Sequence, residues 1–395
     1  MPRVDPTVDD RPLVFVWKRA WLNDSETFVR NQLLGLRSWR GVGVGLERSG
    51  SGLLQDPDDL VLHESITTRQ RRSFALRWLG RSRRLDALVA EHRPDLIHAH
   101  FLSDATWIAR YARRRGIPLV VTAHGYDATS WPRVTGAPRV VRPLAAAVRR
   151  HQARTVFRNA RTVVAVSSFI RASLLVLGAP PERTVVRYIG IPTEGEAPPS
   201  ESDRTGVVFV GRLFEKKGVG DLLDAVASLP ERLRDVPVTI VGEGHLRTSL
   251  MRRAQELDLP QVVFAGARSP SEVAGILARA AVFCAPSQTA PNGDAEGFGM
   301  VYLEAALAAT PVLSYSHGGV TEAVENGVTG LLVAERDVEG LSTALRGLLD
   351  DPDRARTMGR AGRDRVLASF DLTRRIDELE AVYDRAVGRE AGDAA

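Results

Sequence analysis

The stretch SQTAPNGDAEGFGMVYLEAALAATPV, Ser287–Val312, holds the densest set of residues able to do chemistry. It follows the apolar run VFCAP and enters a helical pattern starting near Gly299. The amides of Phe298, Gly299 and Met300 then lie at a helix N-terminus, where unpaired N–H groups suit an anion. Gly297 and Gly299 allow close approach of backbone to a ligand. Glu296 stands just before that terminus, and Glu304 follows on the helix. Helical side chains lean toward the N-terminus, so Glu304 can point back at the same ligand. Carboxylates accept hydrogen bonds from hydroxyls in pairs, which fits a polyhydroxylated, anionic molecule. Each has an ordinary alternative: Glu296 as a charge answering the helix dipole, Glu304 as part of a solvated face. Against the second, Ala305, Ala306, Ala308 and Ala309 read as a tightly packed helix.

Three further segments carry candidates. In VVFVGRLFEKKGVGDLLDAV, Val207–Val226, a strand runs into a basic loop where Arg212 and Lys217 can clamp a diphosphate, the first through planar bidentate donation and the second as a point charge. A basic pair alone describes solvated surface equally well. In PLVVTAHGYDAT, Pro118–Thr129, His124 directly follows a strand and precedes a turn glycine, at a sheet's carboxyl end. The alternative is a structural histidine, the reading given to His98 and His100. Asp127 in the same segment is an acceptor-side candidate. In WKRAWLNDSETFVRNQL, Trp17–Leu33, Asn23 and Glu26 have capping-box spacing, and Ser25 would face the cleft. An ordinary capped helix explains that spacing too.

Absences narrow the chemistry. No Gly-x-Gly-x-x-Gly follows a strand and no phosphate-binding P-loop occurs, which argues against a nicotinamide dehydrogenase. Asp-x-Asp occurs only as DPD at Asp56–Asp58 and Asp351–Asp353, in surface contexts. The histidines lack carboxylates at ligand spacing, so neither metal nor cofactor is expected.

The elements that must position these residues are short apolar runs alternating with helical stretches, the mark of parallel βαβ units. Strands are expected at Leu13–Trp17, Val42–Leu46, Leu96–Ala99, Leu119–Ala123, Thr162–Val166 and Val185–Tyr188. A second set lies at Val207–Val210, Val238–Val241, Val262–Ala265, Val282–Ala285, Val312–Tyr315 and Gly330–Val333. Ligands of open α/β sheets bind outside the strands' carboxyl ends, where the candidate loops fall. With 395 residues, 44% hydrophobic and 26% charged, the chain reads as two doubly wound Rossmann-like domains facing across a cleft, an α/β architecture. The division expected is residues 1–190, a linker at 191–206, residues 207–370, and a C-terminal helix and tail at 371–395. The single cysteine, Cys284, excludes an intramolecular disulfide. No export signal and no membrane-length apolar run is visible, so a cytoplasmic location is expected.

Charge is unevenly spread: residues 1–200 carry 31 Lys/Arg against 18 Asp/Glu, while residues 201–395 carry 22 against 30. This describes either a polyanionic or membrane-surface partner for the first half, or two halves attracting across the cleft. Within the first half, RQRRSFALRWLGRSRRL, Arg69–Leu85, reads as a basic amphipathic helix able to rest on anionic lipid. It reads equally as a domain helix with its aromatic stripe inward. No nucleic-acid partner is expected.

The segments PDLIHAHF, GIPLVVTAHGYD, GRLFEKKGVGDLLDA, VGEGHLRTSL, GDAEGFGMVYLEA and GGVTEAVENGVTGLLV together resemble the retaining GT4 family of GT-B glycosyltransferases, over roughly residues 13–385. The SETFVRNQL segment resembles a bacterial polysaccharide subgroup. The resemblance implies that Arg212 and Lys217 hold the donor diphosphate and that Glu304 binds ribose hydroxyls. Glu296 and the amides of Phe298, Gly299 and Met300 would address sugar and phosphate. His124 would contact the transferred sugar, which makes His124 and Glu296 the catalytic candidates. The nucleobase would lie against Gly266, Ala267 and Arg268. Transfer of a hexosyl or N-acetylhexosaminyl unit from a nucleotide-sugar, UDP favoured, would proceed with retention and without metal. The acceptor would be a saccharide, a lipid-linked precursor or a small natural product. Two departures stand out: Ile189-Gly190-Ile191-Pro192 replaces the interdomain Asn-Gly-Val/Ile-Asp, and WKRAWLNDSETF replaces a glycine-rich loop. A sugar-nucleotide epimerase and a two-domain sugar-binding protein are the rival readings.

Overall fold

The computed structural model describes residues 9–23, 26–49, 56–62, 74–133, 140–193 and 204–389. Two wholly parallel sheets organise them. The first comprises β1 (Leu13–Trp21), β2 (Arg40–Arg48), β3 (Leu60–Val61), β4 (Leu96–His100), β5 (Leu119–Ala123), β6 (Thr162–Ala165) and β7 (Thr184–Val186), in the order β3-β2-β1-β4-β5-β6-β7. The second comprises β8 (Val207–Val210), β9 (Val238–Val241), β10 (Val262–Gly266), β11 (Val282–Cys284), β12 (Val312–Tyr315) and β13 (Gly330–Val333), in the order β10-β9-β8-β11-β12-β13. The strand order reverses between β1 and β4 in one sheet and between β8 and β11 in the other. Those reversals open the crevices in which such sheets take ligands.

Burial on both faces explains the unbroken apolar runs: Leu119–Ala123 and Val282–Cys284 are buried throughout. Strand β2, RGVGVGLER, looks poor in side chains for a buried strand, and its glycines make room for one indole. A Cβ on Gly43 would lie 2.0 Å from the Trp21 ring, and one on Gly41 would lie 2.3 Å from Leu33. Trp21 is itself fully buried, in the cluster with Val14, Val29, Leu33 and Trp39.

The last helix, Leu372–Val387, returns to the first sheet. Glu380 accepts from the amides of Arg37, Ser38 and Trp39 at 2.7, 2.9 and 3.0 Å, and the Trp39 indole donates to Asp384 at 3.0 Å. The return is anchored where the sequence departs from the pattern it otherwise resembles. Ile191 forms a parallel bridge with Asp371, and a Cβ on Gly190 would stand 2.7 Å from Leu372 Cα.

Three expectations are corrected. Arg69–Leu85 is not one helix: residues 69–73 lie outside the described residues, and the rest is a π-helical turn, Ala75–Leu79, ended by Gly80 at φ 60°. A separate helix, Arg83–His92, then starts behind the Ser82 cap. Gly80 cannot be a larger residue without striking the backbone of Arg110, so tertiary contact breaks the helical period. Asn23 does not cap a helix; the helix is Thr27–Leu34 with Glu26 at its N-cap position. Only half of the capping box exists, the Asn23 amide donating to Glu26 at 2.7 Å. The Val185–Tyr188 strand is Thr184–Val186, since Tyr188 turns to stack on Phe298 at 5.3 Å. Among the described residues no helix is long and apolar enough to cross a membrane.

Candidate functional site

The loop after β8 and the loop after β11 meet beside the β8/β11 reversal. The first folds as a tight turn, Glu215–Lys217, closed by Gly218 at φ 64°, and it presents two consecutive lysines. The second answers with acids two residues apart. Lys216 pairs with Asp294 at 3.1 Å and Lys217 with Glu296 at 2.5 Å, all four side chains at most 19% exposed. Burial alone would raise the Glu296 carboxyl. The ammonium groups of Lys217 and Lys216 and the Arg212 guanidinium overcome it and hold the group at about 2. Glu296 is therefore a fixed anion.

That pairing changes the roles available to the cations. Lys217 is already neutralised by Glu296. Arg212 is exposed, lies over the Phe214 ring at 5.0 Å, and meets no carboxylate among the described residues. Arg212 is the uncommitted positive charge of the loop.

Helix Met300–Leu307 begins directly beyond. Gly299 takes φ 89°, a conformation L side chains rarely adopt, and turns the chain into the helix. The amides of Gly299, Met300 and Val301 meet no acceptor among the described residues. The Glu304 carboxylate, one turn in, has neither hydrogen bond nor ion pair among the described residues, and burial raises it against the pull of Lys217. An unpaired, half-buried carboxylate beside free helix amides is costly unless a ligand supplies donors. Phe298, by contrast, is 2% exposed, and its ring belongs to the interior. The Gly266–Arg268 loop follows β10, with Gly266 at φ 72° and Arg268 exposed near Glu272. Asp56 and Asp351 act as local caps, for Asp58 and for helix Pro352–Ser369.

Opposite stands His124, at the carboxyl end of β5. Its ring sits among Phe101 at 4.6 Å, Phe28 at 4.8 Å and His100 at 5.2 Å. His124 Nε2 lies 3.0 Å from His100 Nδ1, leaving His124 Nδ1 buried with no partner. Burial first, then the nearby Lys18 ammonium and His98, lower its basicity well below the usual range, so the ring is neutral. A neutral ring bonded at one nitrogen keeps its other nitrogen free for a ligand.

The two sheets touch at glycines. A Cβ on Gly297 would lie 1.9 Å from the His124 carbonyl oxygen, and Ser167 donates to the Gly297 carbonyl at 2.6 Å. Gly318 and Gly319 close on Glu296 and Gly297 from the other side. His124 is thereby brought next to the Glu296–Met300 corner.

Known proteins match along nearly the whole of this arrangement. The family described as "Glycosyltransferase Family 4" matches residues 26–195, and "Glycosyl transferases group 1" matches residues 191–365. The chain is 30% identical over 301 residues to the GDP-mannose-dependent alpha-(1-6)-phosphatidylinositol monomannoside mannosyltransferase of Mycobacterium tuberculosis, covering 73% of this chain and 75% of that protein. The chain belongs to the GT4-type glycosyltransferases. A "Glycogen synthase" of the same organism is 35% identical over 291 residues, 71% of this chain but 66% of that protein. Among solved structures, Anabaena HepE in complex with UDP shares the fold at a TM-score of 0.76 and 20% identity, covering 95% of this chain and 100% of that one.

Other residues of this glycosyltransferase take places that spacing did not reveal. Asp127 does not face the cleft: it is fully buried and accepts from Leu102, His124 and Gly125 amides at 2.7, 3.0 and 2.9 Å. Its burial raises the carboxyl, and those amides oppose the rise. Asp127 builds the turn that carries His124 rather than touching an acceptor. Ser25 lies outside the described residues. Lys18 and Glu26 form a buried pair at 2.5 Å, with Lys18 over the Phe101 ring at 4.5 Å. His100 proves to be the partner of His124, whereas His98 is bonded away to Tyr383 and Thr122 at 2.7 Å each. Glu322 reaches across from the second sheet to accept from the Ser168 and Phe169 amides. Lys18 and Glu322 left no sequence signal; the alternating DLIHAHF could have flagged His100, since period two puts it on the face of His98.

Proposed function

We propose that this protein transfers a hexosyl or N-acetylhexosaminyl unit from a nucleotide-sugar, most plainly a UDP-sugar, to an acceptor hydroxyl, with retention and without a metal. The observation that carries the reading is the unpaired Glu304 carboxylate beside the open amides of its helix. A nucleotide diphosphate supplies both missing complements. Its ribose hydroxyls donate to Glu304, and its phosphates accept from Gly299 and Met300.

In this reading the leaving diphosphate gains charge as the bond from the sugar's anomeric carbon to phosphate oxygen breaks. Arg212 meets that charge directly, and Lys217 shares its ammonium between Glu296 and phosphate. Such pre-placed charge acts on the transition state most strongly. The acceptor oxygen bonds to the same face of the anomeric carbon, and its proton passes to the departing phosphate oxygen. His124 Nδ1 addresses the sugar, and Glu296 holds Lys217 and orders the sugar's hydroxyls. Gly266–Arg268 borders the base. UDP in the HepE complex supports uridine, while the GDP-mannose dependence of the mycobacterial relative keeps guanosine as the competitor. The acceptor is a saccharide, a lipid-linked precursor or a small natural product.

Slow donor hydrolysis needs no acceptor, so a screen of UDP-, GDP- and TDP-sugars tests the reading. One nucleotide-sugar should be hydrolysed in excess EDTA, and Arg212→Ala or Lys217→Ala should slow it by roughly 10²–10³. Unchanged rates in both variants, or a strict need for divalent metal, would overturn it.

A further inference from the structure

The first sheet carries a second concavity away from the cleft. A cavity of about 410 Å³ opens between helix Leu102–Arg115, helix Arg142–Asn159 and the π-helical turn, with Trp78, Arg110, Arg113, Arg114, Arg158 and Asn159 on its walls. We propose that this cavity binds a small ligand bearing several phosphate groups, at a site separate from the donor cleft.

Nearby arginines with structural work have partners. Arg77 donates to Gln152 at 2.9 Å and lies over Trp107 at 4.6 Å, and Arg115 is paired with Asp86. Arg110, Arg113, Arg114 and Arg158 meet no carboxylate among the described residues, yet they converge on one concavity. Like charges gathered without counter-charge repel one another, and a multivalent anion reverses that sign while gaining bidentate hydrogen bonds. The Asn159 amide adds a neutral donor. Trp78 supplies a flat apolar wall for a carbon skeleton, and the volume suits a molecule of phosphorylated-sugar size.

The wall is built rather than incidental. Gly80 at φ 60° seats the π-helical turn on the opposite helix, where a Cβ would come within 2.7 Å of the Arg110 carbonyl carbon. That contact fixes Trp78 across from the arginines.

The site shares no residue with the donor cleft. Leu102 follows the carboxyl end of β4, whereas Arg113 lies roughly 16 Å further along the helix axis. Asn159 likewise precedes β6, at the sheet's opposite edge. The same helix receives Asp127 at the Leu102 amide, so the two sites are joined by one rigid element.

The phosphates can belong to a soluble metabolite or to a lipid headgroup, and two arms separate these. Calorimetry on the full chain uses inositol hexakisphosphate as probe, and co-sedimentation uses phosphatidylcholine vesicles with and without cardiolipin, whose headgroup carries two phosphates. The expected result is saturable binding of the soluble probe, weakened about tenfold or more by Arg113→Glu with Arg114→Glu, and also weakened by Trp78→Ala. Lys217→Ala should leave it unchanged, since that variant alters only the donor cleft. Binding confined to cardiolipin vesicles and lost in the same arginine variants would support the site with lipid as its source. No binding in either arm, binding indifferent to the arginine variants, or binding abolished by Lys217→Ala would overturn the proposal. Arg113 and Arg114 are exposed, and unchanged circular dichroism excludes misfolding as the cause.

Discussion

Mild acid should withdraw stability from one identifiable place, the stacked imidazoles of His98, His100 and His124. His98 and His100 are buried and His124 is half-buried; burial lowers each, His98 to about 3. In the unfolded chain a histidine titrates near 6.5, so below that pH the unfolded state takes up protons that the folded stack refuses. The sign follows: the stack's contribution is complete above about 6.5 and is lost as pH falls toward the folded values. At about pH 5.5 His98, held at about 3 in the fold, costs RT ln(1 + 10), about 1.4 kcal/mol relative to about pH 7.5. Carboxyls that desolvation raises in the fold, Asp104, Asp127 and Glu304, act in the opposite sense. The stack is therefore isolated by difference. His98→Gln, which keeps one donor and one acceptor for Tyr383 and Thr122, should remove about 1.4 kcal/mol of the acid loss. For a unit of this size that is a Tm difference of roughly 3–5 °C. Thermal unfolding of both proteins at the two pH values measures it. Equal acid losses in wild type and variant would refute the assignment of His98 as a buried neutral base.

Other consequences can be tested alongside. Glu304→Ala should weaken UDP binding by about tenfold to a hundredfold in calorimetry, through lost charge-assisted hydrogen bonds; unchanged affinity would remove Glu304 from the nucleotide. Glu296→Gln should spare UDP binding and impair transfer, and the reverse pattern would mean that the two carboxylates exchange roles. Gly297→Ala places a Cβ against the His124 carbonyl oxygen, so it should hold the sheets apart and cut turnover by about tenfold or more. A larger radius of gyration by small-angle scattering would accompany it, and wild-type turnover would show that the glycine contact is not required. Glu380→Ala strips three amides, that of buried Trp39 among them, of their acceptor and should cost roughly 3 kcal/mol, read by urea titration. A loss under about 1 kcal/mol would mean that water replaces the carboxylate.

Twelve of the thirteen strands, all but the two-residue β3, the helix start at Gly299 and the Glu296, Glu304 and Lys217 corner were legible in the linear order, because each depends on period, glycine position or a loop at a strand's end. Val207–Val210 and Val312–Tyr315 are found where their apolar runs stand. What the order could not contain was partnership across long separations. Nothing local pairs Lys216 with Asp294, turns Arg212 into the uncommitted charge, or joins His100 to His124. Asp127 looked available and is consumed by three amides, because only the folded turn brings those donors around it. Arg69–Leu85 carried a helical period that Gly80 breaks on contact with Arg110. Local sequence determines which residues can form an element and which face they offer; burial and charge pairing depend on distances set by both sheets together, so only the tertiary structure decides them.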